Sequence, residues 1–151
     1  MKAAKYENLK IVDFGSSRQY DTNSNNLITG DDLEKFSPST PYYMAPELIG
    51  EKPAFNHKVD IWSCGIIAYI LLFSNPPYRG KDDQTVRDEI RDKSTSVPMN
   101  DAFWTDGSVS EDCKAFVRKL LTHDVTSRPN AKDLLDPITG DKWLREKAVI
   151  E

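Results

Sequence analysis

Residues 60–74, DIWSCGIIAYILLFS, constrain the fold more than any other stretch. They are apolar on nearly every side rather than along one stripe. A helix of that kind has little to offer water and belongs at the centre of a helical domain. It is not a membrane span: the apolar run from Ile61 to Phe73 is interrupted by Ser63 and is too short for a bilayer. Asn75-Pro76-Pro77 stops it, because proline lacks the N–H that a helix interior needs. A chain of 151 residues is long enough to build one domain with a real core around such a helix.

The rest of the chain supplies partners for it. Asp82 to Lys93 reads as a polar helix with Val86 and Ile90 on one face. Ser110 is placed to cap the next helix, with Glu111 and Asp112 favourable in its first turn. Cys113, Phe116, Val117, Leu120 and Leu121 then recur at helical spacing as an inward stripe. Ala131, Leu134 and Leu135 mark a shorter helix, and Trp143-Leu144 a final packed turn. Leu9 to Val12 reads as a short β-branched strand, but no partner strand is visible for it. Residues 16–39 are rich in Asn, Ser and Asp and read as a long loop, a length usually tied to function or disorder. Pro41 and Pro46 prevent one regular element across TPYYMAPELIG, although a short helix can start at Pro46. The expectation is a mainly α fold: one strand, one long loop and about five helices.

Several function classes lose support from the same residues. A net charge of -4 gives no reason to expect nucleic-acid binding. Met1 to Glu7 lacks the apolar run of a signal peptide, and no segment calls for a membrane. Cys64 and Cys113 lack metal-ligand spacing and sit in apolar surroundings. Both read as buried free thiols, and the expected compartment is the cytoplasm. His57 and His123 read as ordinary surface or packing residues.

Five short stations remain, in order: Asp13-Phe14-Gly15, then TPYYMAPE from Thr40 to Glu47, DIWSCG from Asp60, Pro76-Pro77-Tyr78, and Arg128-Pro129. Together, and at this spacing, they resemble the C-terminal helical lobe of eukaryotic serine/threonine protein kinases. The resemblance covers essentially the whole chain. It makes residues 13–47 an activation segment and 48–145 the helical lobe. TPYYMAPEL, NPPYRGK and the run from Val109 to Leu135 are most similar to calcium- and calmodulin-regulated kinases, although no EF-hand loop occurs.

The resemblance implies roles residue by residue. Asp13 would hold Mg²⁺ against ATP phosphates, with Phe14 packed beneath the site and Gly15 allowing a sharp turn. Alone, Asp13 would be read as a turn residue. Thr40, Tyr42, Tyr43 and Met44 would dock a protein substrate, Thr40 favouring Ser or Thr acceptors. Ser39 stands where the family usually has Gly. Ser37 is a candidate phosphosite, which the acidic Asp31, Asp32 and Glu34 nearby would make unnecessary. Glu47 and Arg128 would form a structural ion pair. Asp60 would anchor the catalytic loop's backbone, or, without that loop, cap the central helix.

The glycine-rich loop, its lysine and the catalytic-loop Asp all precede the metal-binding turn in the family, and only twelve residues precede Asp13 here. Lys5-Tyr6-Glu7-Asn8 is similar to the end of a catalytic loop but abuts Leu9 too closely to be one. Negligible activity is therefore expected of these residues alone. Three readings stand: part of an active kinase shortened by gene prediction, splicing or choice of boundaries; a non-catalytic, pseudokinase-like binding module; or an unrelated helical domain. Calcium–calmodulin control would act through other segments. Apolar surface near Leu9 to Phe14 and around the central helix is expected to be exposed, bringing marginal stability or self-association.

Overall fold

A computed structural model describes residues 10–21, 27–29, 40–92, 107 and 109–148. The central helix α1 spans Lys58–Phe73. Just before it, Asn56 Oδ1 accepts the Lys58 N–H at 2.9 Å. It ends at Ser74, which adopts a left-handed φ of 57° and donates its N–H to the Ile70 carbonyl at 2.7 Å. The prolines that follow make that stop irreversible.

Helix α2 spans Asp83–Arg91 and α3 spans Glu111–Leu120. Both start as the sequence implies. Asp82 accepts the Thr85 N–H at 2.8 Å, and Ser110 accepts that of Cys113 at 3.3 Å. Val86 and Ile90 of α2 are fully buried, and all five residues of the α3 stripe are buried. Helix α1 packs mainly on α3. Gly65 permits the approach: a Cβ there would lie 2.8 Å from Leu120 Cβ and Leu121 Cδ2.

Helix α4, Ala131–Leu135, begins with a reciprocal capping box between Asn130 and Asp133. Helix α5 spans Lys142–Ala148. Buried Asp141 accepts the Trp143 N–H at its start and pairs with Lys119 of α3 at 2.6 Å. Trp143 stacks on Phe116 with ring centroids 5.1 Å apart.

The mainly α architecture is the expected one, with three differences. Lys10–Val12 form no strand, and Ile11 and Val12 are 83% and 76% exposed. A lone β-branched segment gains nothing without a ladder partner. Leu9 lies outside the described residues. The only pairing among the described residues is an isolated bridge between Ile28 and Phe55. Leu135 points outward, because a five-residue helix buries one apolar face and Leu134 fills it. Helix α1 is not buried all round: Cys64, Ile67 and Leu71 form an exposed stripe, Leu71 at 80%, which is the exposed apolar surface expected around the central helix. The expectation of two buried thiols holds for Cys113 and fails for Cys64, though both are free.

Candidate functional site

The segment from Thr40 to Leu48 folds as two 3-10 turns, Pro41–Tyr43 and Pro46–Leu48. Each begins with proline, whose fixed φ suits a first turn and whose missing N–H costs nothing there. Met44 N–H closes the first turn on the Pro41 carbonyl at 3.0 Å. Tyr42 packs partly against the core, Met44 is buried and Tyr43 is 43% exposed. The first turn lies against both α1 and α2. Ser63 of α1 donates its hydroxyl to the Tyr43 carbonyl at 2.9 Å, fixing the turn to the central helix. Thr40 provides no side-chain cap.

The second turn is held from below. Arg128 is fully buried and every one of its guanidinium donors is used. Two reach Glu47, Nη1 to Oε1 at 2.7 Å and Nη2 to Oε2 at 3.0 Å. Nε donates to the Thr122 carbonyl at 2.8 Å, Nη1 also to Lys58 at 3.0 Å, and Nη2 also to His123 at 3.4 Å. The cation lies over the Trp62 ring, 5.1 Å from its centroid. His123 packs edge-on to the same ring, so its reading as a packing residue holds. The Glu47–Arg128 contact joins residues 81 apart in sequence. A buried pair is a net stabiliser only with this degree of satisfaction.

Asp13-Phe14-Gly15 forms an exposed turn, with Ser17 N–H on the Phe14 carbonyl at 3.0 Å. Asp13 itself takes the left-handed φ of 64°, a region aspartate tolerates, and its Oδ1 accepts the Gly15 N–H at 3.3 Å. The sharp bend is therefore carried by Asp13 and not by Gly15. Phe14 does not pack beneath the site either; it is 68% exposed. Among the described residues no group of three His, Cys, Asp or Glu side chains could enclose a metal ion. Mg²⁺ needs no such cage, since it is held by one or two carboxylates together with substrate phosphates and water. An exposed Asp13 carboxylate fits that role as a single ligand.

A cavity of about 470 Å³ connects these parts, with Asp13, Tyr43, Met44, His57, Asp60 and Ser63 among its lining residues. Asp60 is not the cap of α1, which starts two residues earlier, but it faces this cavity from the first turn. Although Asp60 is exposed, the protein atoms beside its carboxyl displace water and push it above the ordinary 3.8, and His57 partly offsets that rise. His57, an ordinary residue by sequence, lines the cavity, with its ring 5.1 Å from that of Tyr20. No periodicity or motif marks it. Ser63 lies within DIWSCG, which gives it no role of its own; it acts through its hydroxyl, which donates to the Tyr43 carbonyl. Ser37 and the acidic Asp31, Asp32 and Glu34 lie outside the described residues.

Comparison with known proteins gives these parts a common origin. Residues 2–138 match the family model for the protein kinase domain. A probable myosin light chain kinase of Dictyostelium discoideum is 37% identical over 136 residues, covering 90% of this chain and 34% of that protein. A calcium/calmodulin-dependent protein kinase type 1 of Macrobrachium nipponense is 32% identical over 140 residues, covering 93% of this chain and 35% of that protein. Among solved structures, the twitchin kinase region of C. elegans superposes with a TM-score of 0.63 at 30% identity, over 80% of this chain and 19% of that one. The chain thus spans about a third of the length of these two curated relatives. With the central helix, the braced segment from Thr40 to Glu47 and the Asp-Phe-Gly turn all in family order, the chain belongs to the protein kinase family.

Proposed function

We propose that this chain is the activation-segment and substrate-docking part of a serine/threonine protein kinase, and that these 151 residues alone transfer phosphate negligibly. The observation that carries this reading is the rigid seat of Thr40 to Met44, braced by Ser63 and, through Glu47, by a fully satisfied Arg128. Such bracing suits a surface that must hold a protein segment in register. Asp13 would ligate Mg²⁺ beside ATP, the cofactor pair the family uses. Asp13 would hold the ion there, and the chemistry Mg²⁺ would supply is electrostatic stabilisation of phosphoryl transfer. The general base is the part these residues do not supply, which is why little turnover is expected.

A non-catalytic binding module is the second reading. It is favoured by the contrast between the braced docking segment and the Asp13 turn, whose Phe14 is left 68% exposed. Both readings put peptide binding at Tyr42, Tyr43 and Met44. Calcium–calmodulin control stays with the relative whose name carries it, and as a proposal for this chain it adds only that calmodulin would be the partner. The cytoplasm remains our compartment, supported by the two free thiols.

Two measurements test the proposal. Fluorescence anisotropy with labelled serine peptides is expected to show binding that Tyr43→Ala weakens; equal binding by the variant removes the docking site. Incubation with radiolabelled ATP and peptide is expected to give no incorporation above background. Incorporation that Asp13→Asn abolishes would overturn the claim of inactivity.

A further inference from the structure

The docking segment has a cationic neighbour that no motif announces. Arg87 lies on α2, half-buried, and its Nη1 approaches the Met44 sulfur at 3.2 Å. That thioether is its only hydrogen-bond partner among the described residues, and thioethers are weak acceptors. A guanidinium has five donors and is strongly favoured by a carboxylate.

Of the four acidic groups at α2, counting its cap Asp82, three are committed elsewhere. Asp82 caps the helix through Thr85. Asp88 accepts from Gln84 at 3.1 Å and lies 4.0 Å from Arg91. Glu89 accepts the Arg79 N–H at 2.9 Å. Asp83, one turn before Arg87, makes no ion pair with it within 4.0 Å. Arg87 is also held in place: Val86 and Ile90 on either side of it are fully buried, and Gly80 packs so closely on the helix start that a Cβ would lie 2.5 Å from Val86 N. A half-buried, positioned guanidinium touching the proposed docking segment, with no carboxylate partner among the described residues, is open to an acceptor.

We infer that Arg87 is a specificity residue that recognises an acidic side chain, Asp or Glu, flanking the residue a protein substrate seats on Tyr43 and Met44. This rests on the docking role proposed above. A carboxylate arriving there replaces the thioether with a charge-assisted bond whose cost in desolvation is already partly met by the half-buried setting.

The test uses the full chain and labelled serine peptides that share one apolar anchor and differ only in a single glutamate moved from position to position. At one position glutamate is expected to tighten binding about fivefold to tenfold over alanine. The gain should shrink as salt is raised, vanish in Arg87→Gln and become a preference for lysine in Arg87→Glu. The salt response of the wild-type chain keeps the test informative if a variant folds poorly. Peptides that bind with no glutamate gain at any position overturn the inference and leave the docking role standing. So does a gain that survives Arg87→Gln, or one seen with phosphoserine and not with glutamate. Absence of all peptide binding to the wild-type chain removes the docking role, and the inference with it.

Discussion

Replacing Glu47 by alanine should be the most damaging single change at the proposed docking segment. The carboxylate is 11% exposed and meets a guanidinium that is 0% exposed. Its removal leaves Arg128 with two donors unpaired in the protein interior, while the other three bonds hold the cation where it is. Breaking a buried pair from one side costs about 3–5 kcal/mol, far above the roughly 0–1 kcal/mol of an exposed pair. Against a typical domain stability of about 5–15 kcal/mol that is a large fraction. For a chain of this size it corresponds to a melting temperature lower by about 6–20 °C. Urea unfolding followed by far-UV circular dichroism and tryptophan fluorescence measures it, with Trp62 under the guanidinium as a local reporter. Glu47→Gln should lose less, since the amide still offers an acceptor. The double change Glu47→Leu with Arg128→Met should recover much of the loss, because apolar replacement of both partners strands no charge. A cost below about 1 kcal/mol for Glu47→Ala would show that the pair is solvated and that the bracing of the docking segment comes from elsewhere.

Further outcomes are expected. Gly65→Ala forces a methyl into the contact between α1 and α3 and should cost about 1–3 kcal/mol, read from the same urea curves. Asp60 holds its charge at a cost, because its folded pKa lies above the ordinary 3.8. Asp60→Asn should therefore raise the melting temperature at neutral pH, and the advantage should disappear as the pH falls below 3.8; a lower melting temperature would refute it. Asp124 is the reverse case, held down to about 2 by hydrogen bonds from Ser127 and Thr126. Asp124→Ala should be less stable than the parent at neutral pH, and melts at stepped pH should show the gap closing as the pH falls from 3.8 towards about 2.

What the sequence discloses depends on whether an element's identity is local. Helix α3 is legible because Ser110 caps it and its stripe repeats at helical spacing, and both are present as expected. The Glu47–Arg128 pair, 81 residues apart, is invisible to any local pattern and came only from resemblance. Helix α1 is legible as a helix, and the resemblance implies exposed apolar surface around it; an apolar pattern on all sides has no direction, so which residues carry that exposure, Cys64, Ile67 and Leu71, is not legible. The failed strand at Lys10–Val12 has the same origin: propensity speaks for a strand, and only a partner can make one. His57 and Arg87 take their meaning from what tertiary packing sets beside them.

The stripe on α1 also bears on how the chain fares in a cell. Ile67 and Leu71 at 48% and 80% exposure, with Ile11, Val12 and Phe14 bare as well, offer the kind of surface that chaperones bind and proteases follow. Produced alone, the polypeptide should be cleared faster than a kinase of ordinary surface. Its abundance would then report how much of it has found cover, whatever its rate of synthesis.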